Sequence, residues 1–346
     1  MRRASARPVP APGPGRVVLI GAAREARVAL MALVRSPLVR PTAVITPPGA
    51  ERPWLSRGTG LVDAAEAAGV PVLRADAPDT PALTARVRSL RPDLVVVVGW
   101  SLPLGRELLS VPRHGCVGFH ASLLPHHRGR APVNWTILRG ETVTGSTMLL
   151  LEPGADTGDI VDQRRLYIGP EDTCATVCDR VARASADMLL THLPALLAGT
   201  APRRPQDPAA GDVLPRRTAG MGVIDWDRRP RAVHDWVRAL TRPCPGAFGI
   251  LDGERVMVWR TRPPRRDEPA GPPGTVLAME EGGVRVATRA GSVLVTRMGG
   301  RAEPPQPAVA WCRRFGVLPG TRFAAVPPEV ARWVLGEGPR PERLAL

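Results

Sequence analysis

Leu94-Val95-Val96-Val97-Val98 is an unbroken apolar run, entered from Asp93 and left at Gly99. A run this short, bounded by turn residues, reads as a strand buried on both faces. Working outward, Arg16-Val17-Val18-Leu19-Ile20-Gly21 is a second strand of the same kind, and residues 22–35 follow with helical spacing of Val28, Met31, Ala32 and Leu33. Thr42–Thr46 and Val70–Leu73 continue the series of strands, with helices expected at Leu61–Ala68 and Ala82–Leu90. Apolar strands alternating with amphipathic helices predict an α/β fold, a Rossmann-like doubly wound parallel sheet. Ligands of such sheets sit beyond the C-terminal strand ends, so the loops after Val98, at His120 and at Asp156 are expected along that edge. The first strand runs into Gly21-Ala22-Ala23-Arg24 without a G-x-G-x-x-G, which disfavours nicotinamide or flavin chemistry.

The chain has 346 residues, enough for two domains, each burying its own core. Its formal charge is +15, and all 47 basic residues are Arg, with no Lys. Together with 40 Pro this reflects biased residue usage, and the arginines are spread out rather than gathered into a nucleic-acid patch. Five Cys form no C-x-x-C pair, which argues against a disulfide framework and a zinc site. Cys174 and Cys178 can share a helix face and read as two small buried thiols. With no secretory signal and no apolar run of bilayer length, the expectation is a soluble, cytoplasmic protein with no membrane partner.

Residues 1–15, with Pro8, Pro10, Pro12 and Pro14, read as a disordered arm. The α/β domain is expected over 16–201 and closes with a long helix near Asp172–Leu197. A Pro- and Arg-rich linker covers 202–220, and the second domain 221–325. That domain holds a helix at Arg231–Leu240 and short strands at Val256–Trp259, Gly274–Leu277, Val284–Ala287 and Ser292–Val295, spacing that suggests a small barrel. Residues 326–346 are a tail, and everything from Pro304 is expected to be partly ordered at best.

Two loops carry the chemistry. Phe119-His120-Ala121-Ser122-Leu123-Leu124-Pro125-His126-His127-Arg128-Gly129-Arg130 supplies an imidazole, and Glu152-Pro153-Gly154-Ala155-Asp156-Thr157-Gly158-Asp159 a carboxylate. An imidazole and a carboxylate on separate loops are the minimum for moving a proton during acyl transfer. His120 alone reads equally as a satisfied histidine at a sheet edge, and Asp156 alone as a turn aspartate.

Taken together, His120–Pro125, Arg128-Gly129 and Ala155-Asp156-Thr157-Gly158 resemble the 10-formyltetrahydrofolate-dependent formyltransferase family. The likeness extends through Ile224-Asp225-Trp226, Val237–Leu240 and Pro245–Phe248, which resemble the segment leading to a C-terminal OB-like β-barrel. The resemblance implies attack of an amine on the formyl carbon of 10-formyltetrahydrofolate, a co-substrate, with no metal. It assigns His120 to oxyanion or proton handling and Asp156 to setting the imidazole's charge. Folate contacts implied by position are Leu102, Pro103, Leu104, Ser122, Leu123, Leu124, Pro125, Arg130, Glu152, Pro153, Gly154, Ala155 and Asp156. For Leu102 and Leu104, ordinary core packing is an equal reading, as is a surface arginine for Arg130.

One position departs from the pattern. The family carries an Asn two residues before its His, whose amide helps hold the formyl oxygen, and here Gly118 stands in its place. Loss of one oxyanion donor costs about 10² to 10³ in rate, so a slow or non-catalytic folate- or RNA-binding relative is an alternative. The segment Pro47–Gly58 has only two arginines where tRNA-directed relatives have a long basic loop. Pro132–Trp135 and Arg216–Thr218 resemble the aminoarabinose branch, so a small-molecule amine is the expected acceptor and tRNA the alternative.

Overall fold

The computed structural model describes residues 13–22, 24–48, 60–75, 80–100, 102–207, 209–265, 269–300 and 303–342. The expected arm, except Gly13 to Gly15, and the segment after Pro48 up to residue 59 lie outside these. The first half runs β1 (Gly15–Gly21), α1 (Arg24–Arg35), β2 (Val39–Thr46), α2 (Leu61–Ala67), β3 (Val72–Arg74), α3 (Pro81–Ser89), β4 (Leu94–Val98), α4 (Arg106–Leu109) and β5 (Cys116–His120). It continues with β6 (Arg128–Gly129), α5 (Pro132–Leu138), β7 (Val143–Leu150), β8 (Ile160–Tyr167) and α6 (Cys174–Ala198).

The main sheet has the order β3-β2-β1-β4-β5-β7-β8. From β3 to β5 every pairing is parallel. Val95 and Val97 pack with α3 and α4 on one face, and Leu94, Val96 and Val98 pack with α1 and α6 on the other. Each fully buried valine contributes about 1.5 to 3 kcal/mol over its exposed state. This is why the run at 94–98 is so uniformly apolar.

The sheet is mixed rather than wholly parallel, because β7 and β8 join antiparallel beyond β5. Neither strand is among the sequence expectations. β7 buries Thr144, Ser146 and Thr147, whose hydroxyls are satisfied by Ala121 O, Ser185 Oγ and Ser122 O. Buried polar residues with partners are structurally sound yet break the apolar pattern that marks a strand.

After β9 (Val213–Leu214) and α7 (Pro230–Leu240) come β10 (Ala247–Leu251), β11 (Glu254–Thr261), β12 (Val276–Glu280), β13 (Gly283–Thr288), β14 (Gly291–Gly299) and β15 (Gln306–Pro307). Helices α8 (Ala308–Arg314) and α9 (Pro328–Val334) follow. The second sheet is antiparallel, ordered β10-β11-β14-β13-β12 with β15 on β14. Its edge strands are linked by the segment after α8. Ala324 N donates to Ile250 O, Phe323 N to Gly274 O and Val276 N to Thr321 O, giving the sheet barrel-like closure.

Three expectations are corrected. The first domain keeps its own cores on the two faces of the main sheet, but the second does not stand alone: Val133, Trp135 and Ile137 of α5 and Val177 and Val181 of α6 share one apolar cluster with Trp236 of α7 and Val258 of β11. The chain from Pro304 is built into the fold, with Val330, Trp333 and Val334 buried and Arg217 Nη1 donating to Val334 O. The linker is not a spacer either. Val213 and Leu214 pair with Arg128 and Gly129, and Arg204 bridges Ile160 at the edge of β8. No helix among the described residues is long and apolar enough to cross a membrane.

Candidate active site

His120 is the last residue of β5, hydrogen-bonded in register opposite Thr147, rather than a loop residue. Cys116, Gly118 and His120 alternate onto one face of the strand. The side chain of His120 is 8% exposed. Its Nε2 lies 2.7 Å from the carbonyl oxygen of His127, and its Nδ1 lies 3.3 Å from Asp156 Oδ1. Both nitrogens face oxygen atoms.

Asp156 reaches this point by an unexpected route. Leu150, the last residue of β7, pairs with Val117 and not with His120, so the loop leaves the sheet about 10 Å back along β5. From there it brings Asp156 to the C-terminal end of β5, beside His120. Asp156 itself adopts the left-handed conformation, with φ of 59°, which Asp tolerates better than most residues. At Gly158 the backbone passes so close to Leu150 O that a Cβ would lie 1.8 Å from it.

Asp156 Oδ2 accepts the Gly129 amide at 3.1 Å. Burial alone would raise its pKa, but the His120 contact, the Gly129 N–H and the Arg128 charge together hold the carboxyl below the usual range. An ionised carboxylate beside the imidazole is the electrostatic setting for proton transfer and for stabilising developing negative charge.

The loop is held from the segment that resembled a linker. Gln206 Nε2 donates to Asp156 O at 2.9 Å and to Gly158 O at 2.8 Å. Gln206 Oε1 accepts from Arg128 at 3.1 Å, and the same guanidinium reaches Asp207 O and Ala210 O. Asp212 Oδ1 accepts the His127 amide at 2.7 Å, and its Oδ2 accepts from Arg139. Gly211 lies against Pro125 O so closely that a Cβ would sit 1.9 Å from it. Residues 204–214 therefore form a strap across both catalytic loops.

His127 is a second charged centre. The Glu141 carboxylate, 3.3 Å from Nε2, raises its pKa, aided by the Asp212 charge. Gln206 and Asp212 are functional neighbours absent from the sequence reading, in which His127 and Gly129 are quoted without a role. His127 and Gly129 lie inside the quoted motif, whereas Gln206 carries no local signal at all.

The remaining expected residues divide into groups. Ser122 and Leu124 are buried, with Ser122 Oγ donating to His126 O and Leu124 N to Thr147 Oγ1. Leu123 and Pro125 are half-buried beside them. Leu104 is a core residue packed on Val95 and Val97, while Leu102 is 42% exposed and Pro103 exposed. Glu152, Pro153, Gly154 and Ala155 form an exposed rim, with Glu152 Oε1 accepting from Thr157. Arg130 is exposed and its backbone N–H reaches Leu214 O.

Two features bear on whether a flat polar ligand fits here. The indole N–H of Trp100, just before the Leu102 loop, is buried with no acceptor among the described residues. An unpaired donor in this loop suits a heteroaromatic ring with acceptor edges. Gly118 faces Leu151, and a Cβ there would meet Leu151 Cδ2 at 2.6 Å. The space of a side chain at 118 is thus filled by a flexible leucine.

Comparison with known proteins agrees with this geometry. Residues 52–193 match the model described as "Formyl transferase", and residues 217–316 that described as "Formyl transferase, C-terminal domain". The methionyl-tRNA formyltransferase of Geobacter metallireducens is 36% identical over 289 residues, 81% of this chain and 90% of that protein. Among solved structures, HypX from Aquifex aeolicus in complex with tetrahydrofolic acid superposes with a TM-score of 0.61 at 19% identity, covering 87% of this chain. This chain spans only 47% of that protein. WlaRD, a sugar 3N-formyl transferase solved with dTDP and 5-N-formyl-THF, has a TM-score of 0.59 at 14% identity, covering 81% of this chain and 96% of the other. These two share the fold. On the match of both domains and the 36% identity, the chain belongs to the folate-dependent formyltransferase family.

Proposed function

We propose that the chain transfers the formyl group of 10-formyltetrahydrofolate to the amino group of methionine carried on tRNA. The observation that carries this reading is the 36% identity to a methionyl-tRNA formyltransferase through both domains. It is preferred here to the small-molecule amine expected from Pro132–Trp135 and Arg216–Thr218, and the Pro47–Gly58 segment that weighed against tRNA lies outside the described residues beyond Pro48. A cleft of about 1000 Å³ in the second domain supports it. Six arginines, 238, 260, 262, 265, 285 and 297, line the cleft against three glutamates, with Trp259 among them. Arg238 pairs with Asp235 and Arg285 with Glu280, while the exposed guanidinium groups of Arg260, Arg262 and Arg297 suit the phosphates of a nucleic acid.

The amine adds to the acyl carbon of the formyl-folate, and as the adduct collapses the bond from that carbon to the folate nitrogen breaks, the nitrogen leaving with a proton equivalent to the one the amine gives up. Asp156, ionised at neutral pH, receives the proton that the amine must lose, directly or through water. His120 holds the carboxylate oriented and, by exchanging its His127 carbonyl contact for the formyl oxygen, donates to the developing negative charge. Gly129 N–H and Gln206 fix the carboxylate's position while this happens. The test is incubation of the full chain and 10-formyltetrahydrofolate with methionyl-tRNA or with amino-sugar nucleotides in parallel. Formylated methionyl-tRNA is the expected product; formylation of the sugar nucleotide alone overturns the acceptor assignment.

A further inference from the structure

Three thiols meet where the domains join. Cys174 and Cys178 lie one turn apart at the start of α6, with sulfurs 3.8 Å apart. Cys244, in the turn between α7 and β10, places its sulfur 3.8 Å from that of Cys174. Cys174 is buried, whereas Cys178 and Cys244 are partly exposed. The formyl-transfer chemistry uses none of them. Among the described residues no group of three His, Cys, Asp or Glu has metal-holding geometry, this trio included, which leaves the chemistry of sulfur itself.

Cys244 differs from an ordinary buried thiol. Asn134 Nδ2 donates to its sulfur at 3.3 Å. The Cys174 contact, with this amide and the Arg217 charge, brings its thiol down to about 7, against burial. Cys174 moves the opposite way, raised by its contacts with Cys178 and Cys244 and by burial. Burial pushes Cys116 up to about 12 and Cys312 to about 11, and among the described residues neither has a second thiol beside it, their sulfurs meeting Leu109 O and Met298 Sδ instead. A substantial thiolate fraction at neutral pH, partial exposure and a neighbouring thiol in reach are the requirements of a redox-responsive cysteine.

We propose that Cys244 is a peroxide-reactive thiol which Cys174 resolves into a disulfide, a switch that ties α6 to the α7–β10 turn. In the first step the Cys244 sulfur attacks one peroxide oxygen and the O–O bond breaks. A sulfenic acid forms, and the other oxygen leaves as water with the thiol proton. In the second step the Cys174 sulfur displaces the hydroxyl from that sulfenic sulfur, and the S–S bond forms as a second water leaves with the Cys174 proton. Sulfur loses two electrons in all and the peroxide gains them.

A short path links this junction to the formyl-transfer site. Asn134 lies on α5 and also donates to Ala239 O at 2.6 Å. Helix α5 begins immediately after Ala131, and two residues before that Gly129 donates to Asp156. When Cys244 turns to Cys174, α5 loses one of the two contacts that Asn134 makes with the second domain.

The full-length reduced protein is exposed to hydrogen peroxide, alkylated and mapped by mass spectrometry, with formyl transfer measured alongside. The expected result is a Cys174–Cys244 cross-linked peptide lighter by two hydrogens, with reduced turnover that dithiothreitol restores. Cys174→Ser is expected to leave a Cys244 sulfenic acid that dimedone traps, and Cys244→Ser to abolish both species. A Cys174–Cys178 bridge, oxidation of Cys116 or Cys312 at a comparable rate, or a Cys174–Cys244 bridge with unchanged turnover each overturns the proposal.

Discussion

His120 and Asp156 face each other across 3.3 Å but are held in place by different means. His120 ends a strand, and its position follows from the ladder that pairs Phe119 with Met148 and itself with Thr147. Asp156, itself left-handed, sits in an irregular stretch between the ladder residues Leu150 and Ile160. Its place is set by side chains distant in sequence, above all Gln206, fifty positions away, which donates to two of the loop's carbonyls. One half of the pair is therefore positioned by backbone periodicity and the other by long-range side-chain-to-backbone hydrogen bonds. Backbone periodicity tolerates substitution around it, whereas a loop held by one amide depends on that amide.

The largest effect tests the pair itself. His120→Ala and Asp156→Asn are each expected to lower kcat by about 10² to 10⁴. The double variant is expected to be little worse than either single one, since the two groups act as a unit. Steady-state rates with 10-formyltetrahydrofolate and methionyl-tRNA measure this, and additive losses contradict the pairing.

Next comes the means of support. Gln206→Leu removes three hydrogen bonds, each worth about 1 kcal/mol net, and is expected to lower stability by about 3 kcal/mol and kcat along with it. The corresponding test on the His120 side, Phe119→Leu, leaves the backbone ladder intact and is expected to affect kcat less. Equal losses in kcat for the two variants erase the distinction drawn here. Urea unfolding with parallel kinetics gives both numbers.

A smaller effect concerns His127, whose carbonyl faces His120. Because Glu141 raises its pKa, the contact stabilises the fold fully below the unfolded histidine value of about 6.5, and the contribution fades as pH rises through the higher folded value. Glu141→Gln is accordingly expected to destabilise by less than about 1 kcal/mol at pH 6 and to match the parent at pH 9. Asp156 behaves in the opposite sense. Its lowered pKa makes its contribution complete above about 4 and lost as pH falls through the lower folded value. Thermal melts across pH 3 to 9 separate the two groups.

The smallest change is expected at Gly118. Gly118→Asn introduces an amide two residues before His120, and the Leu151 side chain must swing away to admit it. Formyl transfer is expected to be preserved or raised, with a larger gain when Leu151→Ala is added. A severe loss shows that the glycine is needed as it is.

What the sequence made legible follows the same division. The parallel strands were readable because burial on both faces leaves only apolar residues at Val17–Ile20 and Leu94–Val98. His120 and Asp156 stood out because their motifs are local. β7 was hidden by buried hydroxyls that find partners at Ser122 and Ser185, which no linear pattern reports. The strap was hidden for a stronger reason: Pro- and Arg-rich composition reads as a spacer, and only the folded chain brings Gln206 and Asp212 against loops fifty to eighty-five residues earlier. The tail was misread because Trp333 and Val334 find their apolar surroundings on α5 and α7, in a core neither domain owns alone.

The strap also bears on modularity. A cut after residue 201 looks like a clean excision of the catalytic domain, yet it removes Gln206 and Asp212 and takes away the chain that Gly129 pairs with at Leu214. Such a fragment keeps the strand that carries His120 and loses the keeper of Asp156. A swap of acceptor-binding domains between relatives therefore has to carry residues 204–214 with the catalytic half, and a protease that nicks this segment disarms the enzyme without touching a catalytic residue.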